Sequence, residues 1–150
     1  MTTPAAKPVF VDTNILVYSK LALSPFHSAA VDRLKELDSL QAEVWVSRQV
    51  FREYVAVMSR PGVVAGAIPM TSLTADIRSF AARFEVANED GLTTDRWLTL
   101  LDGIPSAGKQ VHDANIVATM LTNNVHFILT HNVADFVRFS GLVTIIPLIK

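Results

Sequence analysis

Short apolar runs rich in β-formers alternate along this chain with stretches whose apolar residues recur every three or four positions. The runs are 8–11, 43–47, 126–130 and 143–146. The periodic stretches predict helices over 24–40, 47–60, 71–87, 94–101 and 110–122, with a helical turn over 133–139. Local signals agree. Ser24 can cap with Pro25 in the first turn. Ser47 can cap the next helix, and Pro61-Gly62 stops it. The stretch 61–70 reads as a loop. Strands separated by helices cannot join as hairpins; they pair in parallel across helical crossovers. The fold class is therefore α/β with a mainly parallel sheet. No repeat or low-complexity segment interrupts it. A chain of 150 residues suits one domain spanning 1–150. The small, proline-bearing segment 1–7 is expected to be a flexible tail.

Half of the residues are hydrophobic and 18% are charged, which excludes general disorder. So few charges leave apolar area to cover, favouring an oligomer or a permanent partner. A net charge of -1 argues against indiscriminate polyanion binding but allows a local basic patch. The chain has no cysteine, hence no thiolate nucleophile or thiolate metal site. No run approaches the ~18 apolar residues of a membrane span, and the start lacks a signal-peptide core. The expectation is a cytoplasmic protein without a membrane role.

Four acids stand where an α/β sheet collects ligands, beyond the carboxyl ends of its strands. Asp12 follows the first run; as a helix N-cap it would need no other role. Glu53 lies three after Val50 and four before Val57, on an apolar stripe where a carboxylate is costly unless paired. A salt bridge to Arg52 or Arg60 is the plain alternative. Asp113 precedes Ile116, Val117 and Met120 on one face, in a first turn that also suits an acid. Asp135 follows the run 126–130 and can equally be a turn residue. If the four converge, they repel and call for a cation. An all-oxygen, thiolate-free set suits a hard divalent ion, Mg²⁺ or Mn²⁺, able to activate water against a phosphodiester.

The blocks around these acids resemble the PIN-domain nucleases. Asp12-Thr13-Asn14-Ile15-Leu16-Val17-Tyr18 is similar to the family's opening motif. Ser47-Arg48-Gln49-Val50-Phe51-Arg52-Glu53 resembles its second block, and His112-Asp113-Ala114-Asn115 its third. Thr130-His131-Asn132-Val133-Ala134-Asp135-Phe136 resembles the fourth. Order and size extend the likeness over nearly the whole chain, closest to VapC-type toxins of toxin–antitoxin pairs. The resemblance implies a three-layer α/β/α sandwich. It implies a Mg²⁺- or Mn²⁺-dependent endoribonuclease, often a homodimer, restrained by a VapB-like antitoxin. Asp12, Glu53, Asp113 and Asp135 would hold the metal and carry catalysis, with Thr13, Asn14, Thr130 and Asn132 in support. Arg48, Arg52, Lys109, His112, His131 and Arg138 lie near the acids in sequence and form a candidate basic rim for RNA.

Two other readings follow from the residues. A non-catalytic PIN-like module binding RNA or protein would keep the fold without turnover. The segment 103–110, Gly103 to Gln110, matches GxxxxGK and suggests a P-loop-like nucleotide site if 97–101 is a strand, although Gln110 lacks the hydroxyl that holds Mg²⁺. For a partner, the helices over 24–40 and 47–60 are expected to frame a groove lined by Tyr18, Leu21, Leu23, Phe26, Phe51, Val55 and Met58.

Overall fold

The computed structural model of the chain describes residues 7–64 and 66–150. Except for Lys7, the expected tail lies outside them. Val9–Val11 (β1) is buried at all three positions, the pattern of a strand covered on both faces. After it come α1 (Thr13–Lys20), α2 (His27–Ser39), β2 (Val44–Ser47), α3 (Arg48–Met58) and α4 (Met70–Arg83). The second half holds β3 (Glu85–Ala87), α5 (Gly91–Gly103), α6 (Lys109–Thr122), β4 (Phe127–Thr130) and β5 (Thr144–Pro147). Two 3-10 turns, Val133–Asp135 and Val137–Phe139, link β4 to β5.

The five strands among the described residues are all parallel, in the order β3-β2-β1-β4-β5. Moving from β1 to β2 to β3, right-handed crossovers place α1 to α4 on one face. The return from β3 to β4 runs the other way and places α5 and α6 on the opposite face. That is the three-layer sandwich expected above. Phe10, Ile128 and Leu129 of the central strands share one buried core with Ile15 and Leu16 of α1, Tyr54 of α3 and Ile116 and Met120 of α6.

Three elements differ from the sequence reading. Helix α1, implied only by the reading of Asp12 as an N-cap, has no periodic signal, because Ile15, Leu16 and Val17 are all buried and a helix buried so widely shows little amphipathic period. The helix predicted over 71–87 ends at Arg83, and Glu85–Ala87 pairs instead with Trp45–Ser47, satisfying the open side of β2. The stretch 94–101 lies within the longer α5, so no strand precedes Gly103 and a P-loop cannot form there.

The expected groove between 24–40 and 47–60 is also not formed. Helix α1 packs against both α2 and α3. Met58 belongs to the core, while Phe51 and Val55 face Ile77 of α4 across a separate hollow. Tyr18 and Phe26 pack with His131, and Leu23 is 98% exposed.

The buried Ser47 ends β2 and caps α3, its hydroxyl accepting the Val50 N–H at 3.3 Å. Because α3 carries Glu53, this cap sets the helix's entry. Ser47→Ala should cost about 1 kcal/mol in urea unfolding, whereas Ser47→Thr should retain most of it. Equal losses in the two variants would show that packing, not capping, governs the position.

Candidate active site

The chain leaves β1 and β4 in opposite directions, so a crevice opens beyond their carboxyl ends. Asp12 sits there, 6% exposed. One carboxylate oxygen, Oδ1, accepts the Thr13 N–H at 2.8 Å and caps α1. The other, Oδ2, accepts the Thr130 hydroxyl at 2.8 Å and the Asn14 amide at 3.1 Å. The cap and the site acid are thus the same residue, used through different oxygens. Asn14 also ties α1 to the end of β4, its Oδ1 accepting the His131 N–H at 3.0 Å. The Asn132 N–H donates to the Thr130 oxygen at 3.0 Å.

Glu53 reaches the same crevice from α3. Its Oε2 accepts the Thr13 hydroxyl at 2.8 Å and its Oε1 the Gln49 amide at 2.9 Å. Among the described residues it has no cationic partner at ion-pair distance, so the salt bridge to Arg52 or Arg60 is not formed. Gln49 is held in turn by the His112 carbonyl and by Asn115. Asn115 donates also to Glu89, which follows β3. The sequence patterns single out no role for Gln49, Asn115 or Glu89. Gln49 was readable, four residues before Glu53 on one helical face. Glu89 is not readable, because the three-residue strand before it continues a helical pattern in the sequence.

Asp113 comes from α6, fifth in that helix rather than in its first turn, so an end-of-helix role does not account for it. Its side chain is 9% exposed. Burial raises its carboxyl from the ordinary 3.8 to about 6; the Lys109 ammonium opposes the shift, and Asp135, Asp12 and Glu53 add to it. Asp12 is likewise raised, chiefly by burial, against the lowering hydrogen bonds from Thr130 and Thr13. Asp135, in the first 3-10 turn, joins through Lys109. The ammonium lies 2.8 Å from Asp135 Oδ2 and 4.0 Å from Asp113 Oδ1.

Asp12, Thr13, Asn14, Glu53, Asp113 and Asn132 line one pocket of about 440 Å³, with Lys109 and Arg60 also in its wall. Among the described residues, no three carboxylates or histidines already stand in ligating array around one point. The donor set nevertheless fits a hard divalent ion. It is all oxygen, largely desolvated and self-repelling, and a lysine already neutralises part of it.

The candidate basic rim divides. Lys109 faces the acids, while Arg52 and His112 line an adjoining hollow. Arg48 is exposed. Arg138 lies over Phe139 and reaches the Pro105 carbonyl at 3.5 Å. His131 is not a rim residue: its ring centroid lies 4.2 Å from that of Phe26, in the aromatic cluster with Tyr18. Arg60, weighed in sequence only as an ion-pair partner of Glu53, stands in the wall of the acidic pocket.

A carboxyl with a raised folded pKa binds its proton more tightly folded than unfolded. Asp113's contribution to metal-free stability therefore grows as pH falls through about 6 and is complete below the unfolded value. In chelator, wild type should gain stability over Asp113→Asn between about pH 7.5 and about pH 5 in urea titrations. Removing the opposing cation with Lys109→Met should move that gain to higher pH. A constant difference between wild type and Asp113→Asn would contradict the assignment.

Comparison with known proteins identifies the fold and the family. The family model described as PIN domain matches residues 9–142. Similar solved structures include VapBC2 from Rickettsia felis bound to a promoter DNA fragment, at 19% identity and TM-score 0.66, covering 93% of this chain and 98% of that one. VapBC-1 from nontypeable Haemophilus influenzae is 20% identical with TM-score 0.66, covering 95% and 99%. VapC20 of Mycobacterium tuberculosis, a sarcin-ricin loop cleaving toxin, is 19% identical with TM-score 0.60, covering 93% and 99%. A search of curated proteins found no match. The family match spans most of the chain, through all four acids and every strand but the last, and the chain belongs to the PIN domain family.

Proposed function

We propose that this chain is a divalent-metal-dependent endoribonuclease and the toxin of a toxin–antitoxin pair. The observation that carries the reading is the meeting of Asp12, Glu53 and Asp113, 101 residues apart at the extremes (113 − 12), around one pocket at the sheet's switch point. Asp12, Glu53 and Asp113 would hold Mg²⁺ or Mn²⁺, with Asp135 reaching in beside them. When bound, such an ion supplies a more acidic water and charge stabilisation at the phosphodiester.

The rest is work for the chain's own residues. Thr130 and Asn14 donate to Asp12 and Thr13 donates to Glu53, so these carboxylates are held in fixed orientations facing the pocket. Lys109 neutralises Asp135 and Asp113 in the metal-free chain. Arg60 gives the pocket wall a cation for an incoming phosphate. The solved VapBC structures support a partner of the VapB kind, which would restrain the enzyme until released. No described helix is long and apolar enough to cross a membrane.

Purified protein should cleave single-stranded RNA with Mg²⁺ or Mn²⁺ and lose the activity in chelator. Asp12→Asn and Glu53→Gln should each lower kcat by about 100-fold or more, with unchanged circular dichroism. Cleavage that persists in both variants would overturn the site. A folded wild type that cleaves no RNA with either ion would mark a binding module instead.

A further inference from the structure

A second hollow, of about 490 Å³, opens between α3, α5 and α6 and shares Glu53 with the acidic pocket. Its remaining wall includes Arg52, Thr94, Trp97, His112 and Asn115. Their chemistry is not that of a general cleft. The half-buried Trp97 indole spends its N–H on the Val111 carbonyl at 2.9 Å, so it offers the hollow ring surface rather than a donor. Arg52 is 69% exposed, and its nearest carboxylate, Glu89, stands 4.0 Å away. That contact is too long for a bidentate pair and leaves the guanidinium available to another anion. The floor is braced: Asn115 is held by Gln49 and Glu89, and Gln49 by Glu53 and the His112 carbonyl. An aromatic face, an available guanidinium and a rigid polar floor, one residue away from the acids, match a flattened ring carrying a phosphate.

We propose that this hollow is a nucleobase subsite. It takes the base of a nucleotide flanking the cleaved phosphodiester, stacked on Trp97, with that nucleotide's phosphate against Arg52. The assignment rests on the ribonuclease reading of the acidic pocket. It goes beyond that reading by assigning the flanking base its own stacking surface and its phosphate a guanidinium, and so requires that base to be splayed out of any stack.

The chain has two tryptophans, so Trp45→Phe leaves Trp97 as the only one. Adenosine and adenosine 5′-monophosphate are titrated into that variant in chelator, following tryptophan emission. Adenosine should quench it saturably, with half-saturation on the order of 1 mM. The monophosphate should bind about threefold or more tightly than the nucleoside, an advantage lost in Arg52→Ala. Thr94→Phe, at an exposed helix position on the rim, should abolish quenching with unchanged circular dichroism. The same change should raise KM for RNA cleavage about tenfold with kcat preserved. Absence of saturable quenching, or quenching that survives Thr94→Phe, overturns the subsite, including the case in which a second copy of the chain covers the hollow. RNA cleavage without quenching overturns the subsite alone. Quenching in a wild-type chain that cleaves no RNA overturns the nuclease reading instead.

Discussion

The buried carboxylate of Asp12 is the constraint around which the crevice is organised. It stands at the end of the central strand, where desolvation penalises its charge. Three donors offset that cost: the Thr13 backbone, the Thr130 hydroxyl and the Asn14 amide. Those same donors fix the start of α1 and the end of β4, and Asn14 fastens the two together. Thr13 carries the constraint onward, since its backbone serves Asp12 and its hydroxyl serves Glu53. One short segment therefore sets the position of two acids brought from different helices and strands. Neutralising Asp12 would disturb the hydrogen-bonding frame as well as the charge.

The second organising fact is the excess of negative charge that this frame holds. Asp113 and Asp12 are both pushed towards protonation, and Lys109 supplies a cation from the turn before Asp113. A site of this kind is poised rather than relaxed. It holds its ligands close enough to shift one another's acidity without closing them around a point. The energetic cost of that state is met by the surrounding fold, whose central strands and inward helix faces form one apolar core.

Much of this was legible in the sequence, for identifiable reasons. The strand-and-helix alternation predicted a parallel α/β sheet because crossovers need helices. The stripe containing Val50, Glu53 and Val57 predicted an inward-facing acid, and Glu53 does face the pocket. Helix α1 and strand β3 were not legible. The first is buried too widely to show a period, and the second is three residues long and continuous with a helical pattern. Losing β3 also hid Glu89 and with it the far end of the Glu53–Gln49–Asn115 chain. The basic residues were least readable. Proximity in sequence placed Arg48, Lys109, His131 and Arg138 together, whereas helix and turn geometry sends them to four different surroundings.

The order of the strands has a consequence for the making of the protein. β1 precedes the other described strands and lies at the centre of the sheet, yet one of its two neighbours is β4. Thr130, which orients Asp12, follows it by 118 residues. Until that distant segment emerges, β1 has an open edge and its acid lacks a hydroxyl donor. Such long-range closure slows folding and defers it until β4 has been made. The crevice is therefore a late product of synthesis, and a nascent or truncated chain ending before β4 carries three of the acids without the geometry that organises them.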